Sequence, residues 1–334
     1  MDYVSMIPAQ IAEAKKKIEA LRREDSLVLP LFTDLHTPSP SHVSVEALTA
    51  VLTALTDSVA CDAVIDLGDN PSMLGRDTHI TNEDLTAYFQ TLLGKIHEAA
   101  GCPLLCVHGN HDAIGTDFFK ASFWNAITKH QFGNTEAVFG EGSYYYLDME
   151  KASTRIVVLS VPFDSDIEAE YPTPCWGFGE KQLAWLEKTA LDTAKQVILL
   201  IHVPFYDEYR GDRESKLGVW TGDRAAMSYI SALCGWIDDV KEASEIINRF
   251  AEKTGRLTAC FSGHTHADSF RAGLEEKNGY KNPLVCPQAV TGSFWNARCA
   301  DGECPFLLDV LVYTPSTGRM DLVRVGRGED RRVL

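Results

Sequence analysis

The chain has 334 residues, 45% of them hydrophobic and 23% charged, enough apolar sequence for one large α/β domain or two smaller ones. Asp and Glu number 47 against 31 Lys and Arg, and the formal net charge of -16 repels phosphate backbones, which weighs against non-specific nucleic-acid binding. The Cys count of 9 is odd and includes no CxxC pair, so a reducing, cytoplasmic setting without a disulfide framework is expected.

Residues Ile7 to Arg23 set Ile11, Ile18 and Leu21 against Lys15, Lys16, Lys17 and Arg22. This is an amphipathic helix, too charged for a signal core, and it is expected to pack on the domain that follows. No apolar run approaches the roughly 18 residues of a membrane-spanning helix. The run Leu27-Val28-Leu29-Pro30-Leu31-Phe32 reads as a strand that Pro30 places at a sheet edge or at an irregularity. Asp34 and His36 follow at once. Two apart in extended chain, they point to the same side, as two ligands of one metal would.

Ser44 is expected to cap a helix that runs to about Ser58. Ala63-Val64-Ile65 is the next strand, followed by Asp66-Leu67-Gly68-Asp69-Asn70. Gly68 lets the backbone turn tightly beside a bound group. Asp69 then offers two oxygens, enough to bridge two cations. A helix from Asn82 to Ala99 leads into the compact run Cys102–Val107, which delivers Gly109-Asn110-His111-Asp112 at its carboxyl end. Polar groups in that position lie where α/β proteins bind ligands. Phe118, Phe119, Phe123, Trp124 and Ile127 read as helical packing.

Tyr144–Leu147 and Arg155–Leu159 read as paired strands. A helix from Glu180 to Leu191 buries Leu183, Trp185 and Leu186, and the strand Gln196–Ile201 ends at His202. Phe205 to Ala225 is a polar excursion over the rim, whose Arg210, Arg213, Lys216 and Arg224 suit a phosphate and whose Trp220 or Tyr206 suits a base. Solvated surface charge accounts for the same residues. Helices near 225–233 and 237–254 precede a strand, Arg256–Phe261, that ends at Ser262-Gly263-His264-Thr265-His266. Leu284–Ala289, Phe306–Tyr313 and Met320–Val325 are expected strands, and the charged tail Gly326–Leu334 is expected to be loosely held. The organisation is thus a helix over 1–25 packed on a single domain, 26–325, with a rim insertion at about 205–225 and a tail, 326–334.

The polar stretches offer Asp34, Asp69 and Asp112 as carboxylates, Asn110 as an amide, and His36, His111, His202, His264 and His266 as imidazoles. Mixed N and O donors without a thiolate suit divalent Mn, Fe, Zn, Co or Ni. In this order, Asp-x-His, Gly-Asp, Gly-Asn-His-Asp, His and Gly-His-x-His, the sequence resembles the calcineurin-like metallophosphoesterases from about Leu27 to Phe270. The resemblance implies an α/β fold, a four-layer αββα sandwich of two mixed β-sheets flanked by helices. It implies two divalent metal ions, with Asp34, His36 and His266 on the first, Asn110, His202 and His264 on the second, and Asp69 bridging. His111 is then not a ligand but faces the substrate as general acid or transition-state stabiliser, Asp112 helps to orient it, and Asn110 also borders the substrate.

The implied reaction is hydrolysis of a P–O bond in a small phosphoester. Two ions about 3.5–4 Å apart lower the pKa of a shared water toward roughly 7, the hydroxide attacks in line, and an imidazole protonates the leaving oxygen. The purple acid phosphatases resemble this set but lack the His of Asp-x-His and carry a metal-binding Tyr after Gly-Asp, where this chain has Asn70-Pro71-Ser72-Met73. The set matches the cyclic-nucleotide phosphodiesterase branch as well as broad phosphomonoesterases, and a phosphodiesterase is favoured, with Arg210, Arg213 and Trp220 as candidate substrate contacts. A metal-binding scaffold without activity is the rival from another class, disfavoured because the ligand positions and His111 are all intact. A nuclease is disfavoured by the acidic charge and the lack of a long basic stripe.

Overall fold

The apolar run Leu27–Phe32 forms strand β1 and is buried at every position. Leu27, Leu29 and Leu31 join one core while Val28 and Phe32 join another, because successive side chains leave opposite faces of a strand. A strand buried on both faces lies inside a layered fold. The computed structural model describes residues 3–72, 81–109, 111–112, 121–129, 132–160, 178–205, 237–277, 280–300 and 302–334. Asn110, Phe118, Phe119, Tyr206, Arg210, Arg213, Lys216, Trp220, Arg224 and the helix expected near 225–233 lie outside them.

The strands after β1 are β2 (Val64–Asp66), β3 (Leu104–Cys106), β4 (Val138–Phe139), β5 (Tyr145–Met149), β6 (Thr154–Val158), β7 (Gln196–Leu200) and β8 (Leu257–Ser262). They continue as β9 (Ser269–Arg271), β10 (Glu276–Lys277), β11 (Tyr280–Lys281), β12 (Gln288–Val290), β13 (Leu307–Thr314), β14 (Arg319–Gly326) and β15 (Arg331–Arg332). Of the two large sheets, one has the order β15-β14-β13-β1-β2-β3 and the other β4-β5-β6-β7-β8-β12-β9, while β10 and β11 pair in a separate two-stranded sheet. Both large sheets are mixed. In the first, β1 runs parallel to β2 and antiparallel to β13. In the second, β6, β7, β8 and β12 run parallel and are flanked by antiparallel β5 and β9.

The sheets stack face to face over Leu29, Leu31, Ile65, Leu105, Ile156, Ile198, Leu200 and Phe261. Helices α1 (Ile7–Leu21), α2 (Val43–Ser58), α3 (Asn82–Ala100) and α4 (Ala121–Thr128) cover the outside of the first sheet. Helices α5 (Gly179–Trp185), continued by a π-helical turn Leu186–Ala190, and α6 (Ile237–Thr254) cover the second. The result is the four-layer helix–sheet–sheet–helix sandwich. Parallel β1, β2 and β3 and parallel β7 and β8 send their carboxyl ends to one rim. Helix α1 buries Ile7, Ile11, Ala14 and Ile18, one stripe at helical spacing.

Several expectations are corrected. Pro30 does not put β1 at an edge, since β1 lies between β13 and β2. The groups of Val28 and Phe32 bond toward β2, so by strand alternation Pro30 turns its missing N–H away from β13 and breaks no bond there. Ser44 is not the cap of α2. His42 is, its Nδ1 accepting the Ser44 N–H at 3.3 Å, while the Ser44 hydroxyl pairs with the same ring nitrogen at 2.8 Å. Trp185 is only partly buried, against Tyr144 and Tyr146. No strand begins at Leu284, because side chains take its amides: Leu284 N–H donates to Asn282 Oδ1 and Val285 N–H to Asn248 Oδ1.

The tail is not loosely held. β15 pairs with β14, Val333 is buried, and Arg327 and Arg331 bond to backbone carbonyls of the core loops.

Helix α3 starts with a reciprocal capping box, in which the Asp84 N–H donates to Thr81 Oγ1 and the Asp84 carboxylate accepts the Thr81 N–H. Thr81→Ala is expected to lower the unfolding free energy by about 1 kcal/mol, read from the urea midpoint at constant slope.

Candidate metal centre

Two loop starts meet at the rim through three main-chain bonds. The Asp34 N–H donates to Gly68 O (2.9 Å), His36 N–H to Asp69 O (3.1 Å) and Thr37 N–H to Asn70 O (2.8 Å). The loops after β1 and β2 therefore run together past the end of the sheet. Asp34, His36 and Asp69 take φ of 53°, 41° and 62°, and across the rim His264 and His266 take 71° and 58°. Left-handed backbone at a residue other than Gly costs about 1–3 kcal/mol each and clusters where function needs it. Here it falls on five residues that the sequence marks as ligands.

Asp34 and Asp69 are each 1% exposed. Asp34 Oδ2 accepts from Thr33 Oγ1 (2.8 Å) and from the His264 N–H (2.9 Å), and Oδ1 lies 3.2 Å from His266 Nε2 and 3.5 Å from His36 Nε2. Asp69 Oδ1 accepts the His111 N–H (2.7 Å), and Oδ2 lies 3.1 Å from His202 Nε2 and 3.9 Å from His36 Nε2. Donor atoms of Asp34, His36 and His266 fall within 4.8 Å of one another, as do those of Asp69, His202 and His264, and those of His36, Asp69 and His111.

Burial would raise the Asp34 carboxyl, but the imidazoles of His266 and His36 hold it well below the usual carboxylate range. Burial acts the same way on Asp69, and His202 overcomes it. Burial pulls the His202 imidazole down, and the Asp69 carboxylate lifts it to about 9. Burial pulls His264 down to about 3, with His202 adding to the effect, so His264 is neutral and carries a lone pair.

The donor chemistry fits a pair of divalent cations. His202 Nδ1 donates to Leu67 O (2.8 Å), which leaves Nε2 facing the site as a candidate ligand atom. The Nε2 atoms of His36 and His266 face each other at 2.8 Å with a buried carboxylate oxygen beside them. A cation between such nitrogens satisfies both lone pairs, and no thiolate takes part.

His111 stands at the mouth. Its ring packs edge-on to His36 at 4.6 Å, and Nε2 is 4.0 Å from Asp69 Oδ2. Burial lowers its pKa and Asp69 opposes the shift. Asp112 does not hold the His111 ring. It is fully buried, and its carboxylate accepts the N–H groups of Gly109 (2.7 Å), Asp69 (2.9 Å) and Asn70 (2.9 Å), while His111 Nδ1 makes no hydrogen bond among the described residues. Asp112 thus ties the loop after β3 to the loop after β2. Asn110, Arg210, Arg213 and Trp220 lie outside the described residues.

Sequence reasoning missed a supporting layer. Asp66, at the last position of β2, accepts Asn70 Nδ2 (2.8 Å) and the Gly68 N–H (2.9 Å). His108 stacks on Trp124 at 4.7 Å and bonds through Nδ1 to Ser143 Oγ at 3.1 Å. The available signal was a polar residue at the end of an apolar run, directly before an already marked motif.

A two-sheet sandwich with buried carboxylates and inward imidazoles at one rim is the architecture of a metallohydrolase. The family model described as calcineurin-like phosphoesterase matches residues 31–268, and the chain belongs to that family. It is accordingly a metal-dependent phosphoric ester hydrolase. Among solved structures it is similar to a dimetal phosphatase from Danio rerio, with TM-score 0.55, 13% identity, 92% of this chain covered and 98% of that one. It is also similar to PhoD, with TM-score 0.54, 11% identity, 92% of this chain covered and 72% of that one. At these identities the likeness is one of fold. Comparison with curated proteins returned no match.

Two outcomes are expected. A proton on His202 competes with a cation for Nε2, so near pH 7 metal uptake releases protons and affinity falls as pH drops. Calorimetry in buffers of different ionisation enthalpy reads this. A Cβ on Gly109 would overlap the Asp69 amide nitrogen and Oδ1. Gly109→Ala is therefore expected to reduce bound metal, read by elemental analysis after gel filtration.

Proposed function

We propose that the protein hydrolyses small phosphoesters, phosphodiesters in preference to phosphomonoesters, at a centre of two divalent ions. In this reading Asp34, His36 and His266 hold one ion, Asn110, His202 and His264 the other, and Asp69 serves both. The observation that carries it is the shared position of Asp69, whose Oδ2 lies 3.1 Å from His202 Nε2 and 3.9 Å from His36 Nε2. Mn, Fe, Zn, Co and Ni all suit the donors.

Bound there, the ions supply Lewis-acid charge and a water of lowered pKa. The chain's own residues do the rest. The buried carboxylates of Asp34 and Asp69 match the cationic charge in a site of low dielectric. Main-chain bonds between the Asp34 and Asp69 loops hold them in place. His111, less than a quarter exposed and beside Asp69, reaches the mouth and delivers a proton to the leaving oxygen. Its lowered pKa makes the imidazolium a readier donor.

The motif set fits the cyclic-nucleotide phosphodiesterase branch and broad phosphomonoesterases alike, and the diester preference is a reading that adds the proposed base and phosphate contacts to it. The substrate is a small molecule on this reading, with Arg210, Arg213 and Trp220 as proposed contacts. A cytoplasmic setting belongs to the same proposal and is supported by seven free cysteines among the described residues. Among those residues no helix is long and apolar enough to cross a membrane.

His111→Ala is expected to lower kcat by roughly 10²–10⁴-fold with metal content unchanged. Loss of metal in that variant would instead make His111 a ligand, in line with its grouping with His36 and Asp69. Bis-p-nitrophenyl phosphate is expected to turn over faster than p-nitrophenyl phosphate with each metal added back. The reverse order assigns a monoesterase, and no turnover of either assigns a scaffold.

A further inference from the structure

Behind the turn that carries His264 and His266 lies a second cluster of buried charge. Asp309 on β13 is 0% exposed in its side chain and is held by Arg324 Nε at 2.9 Å, by Arg331 Nη2 and by Thr291 Oγ1 at 2.9 Å. The same two arginines reach Asp268, Arg324 Nη2 at 2.9 Å and Arg331 Nη2 at 3.5 Å. Asp268 also accepts the Gly292 N–H at 3.0 Å. Arg331 Nη1 donates to Val290 O (2.7 Å) and Ser269 O (3.3 Å).

The turn between needs outside support. His264 and His266 both sit in left-handed backbone, which persists only where the surroundings over-determine it. Its upstream end is tied inside the site, Gly263 N–H to His202 O and His264 N–H to Asp34 Oδ2. Its downstream end is Asp268, two residues past His266, and Asp268 is tied to the C-terminal strands. The same tail reaches the other side of the site. Arg327 donates to the carbonyls of Ser293, Phe294 and Pro305, and Ser293 Oγ in turn donates to Asp34 O at 2.8 Å.

We propose that Arg324 and Arg331, acting through Asp268, are positioning residues that set the metal-binding geometry of His264 and His266. The inference rests on the reading of those two histidines as ligands. Each arginine spans two carboxylates, so neither can rotate without stranding a buried charge. Partners that orient ligands in this way characteristically tune metal affinity as well as stability.

The test uses the full-length protein stripped with a chelator and titrated with Mn(II) by calorimetry. Arg331→Ala and Asp268→Asn are expected to weaken Mn(II) binding by roughly 10-fold or more, with faster amide exchange over 263–268 before metal is added. Arg331→Lys keeps the charge but not the fork, and should fall between parent and Arg331→Ala. Arg155→Ala is the control, because Arg155 pairs with Asp148 at 2.7 Å at the opposite end of the second sheet. It should lower the thermal midpoint without changing Mn(II) affinity. Isotherms of Arg331→Ala and Asp268→Asn that match the parent overturn the proposal, as does equal weakening in Arg155→Ala. If Arg331→Ala fails to fold, the isotherms of Asp268→Asn and Arg331→Lys decide in its place. A parent that binds no Mn(II) overturns the ligand reading itself, whereas a parent that binds, with variants like it, overturns the positioning role alone.

Discussion

Two carboxylates taken out of water, Asp34 and Asp69, impose the constraint around which the rest is arranged. An isolated ionised carboxylate in an apolar interior is too costly to persist, so it must be met by positive charge and hydrogen-bond donors. The fold supplies both kinds at once. Backbone N–H groups of His264 and His111 reach one oxygen of each carboxylate, and imidazoles converge on the other. Divided in this way, one oxygen fixes position and the other faces the site. His202 and His264 diverge in protonation because the Asp69 carboxylate lifts His202 against burial, whereas burial, with His202 adding to it, lowers His264.

Geometry at the rim is carried by main chain. The left-handed positions of Asp34, His36, Asp69, His264 and His266 let each loop turn back sharply from its strand end. Asp112 reinforces this by accepting three amides from two loops. Gly263 permits the close crossing of the β1 and β8 ends, where a Cβ would overlap the Thr33 hydroxyl.

The site was legible in the sequence wherever polar residues ended an apolar run, because a buried strand must stop at the rim and its first polar residues fall there. Asp34, His36, Asp69, His202, His264 and His266 are brought together as that pattern requires. The layers of the fold were legible through the family resemblance more than through the strands, whose edges shifted where side-chain bonds replaced the ladder, as at Asn282. What local pattern hides is long-range pairing. Pro30 looked like an edge residue because nothing nearby says that β13 will flank it. Asp112 looked like a partner for the imidazole beside it, yet its carboxylate accepts the nearby Gly109 N–H and the Asp69 and Asn70 N–H groups far back in the chain. The tail looked loose because charged residues look solvated until Asp268 and Asp309 are seen to meet them.

The place of β1 also governs the order of assembly. The strand that leads to Asp34 is hemmed in by β13, and Ser26 Oγ meets Thr314 Oγ1 at 2.6 Å across 288 positions of chain. A ribosome must therefore synthesise the chain through Thr314 before the first sheet can close around this strand. Closing so long a loop is entropically slow, and until it happens β1 presents a bare, aggregation-prone flank. The C-terminal hairpin of β13 and β14 is thus the last piece that can flank the strand leading to Asp34.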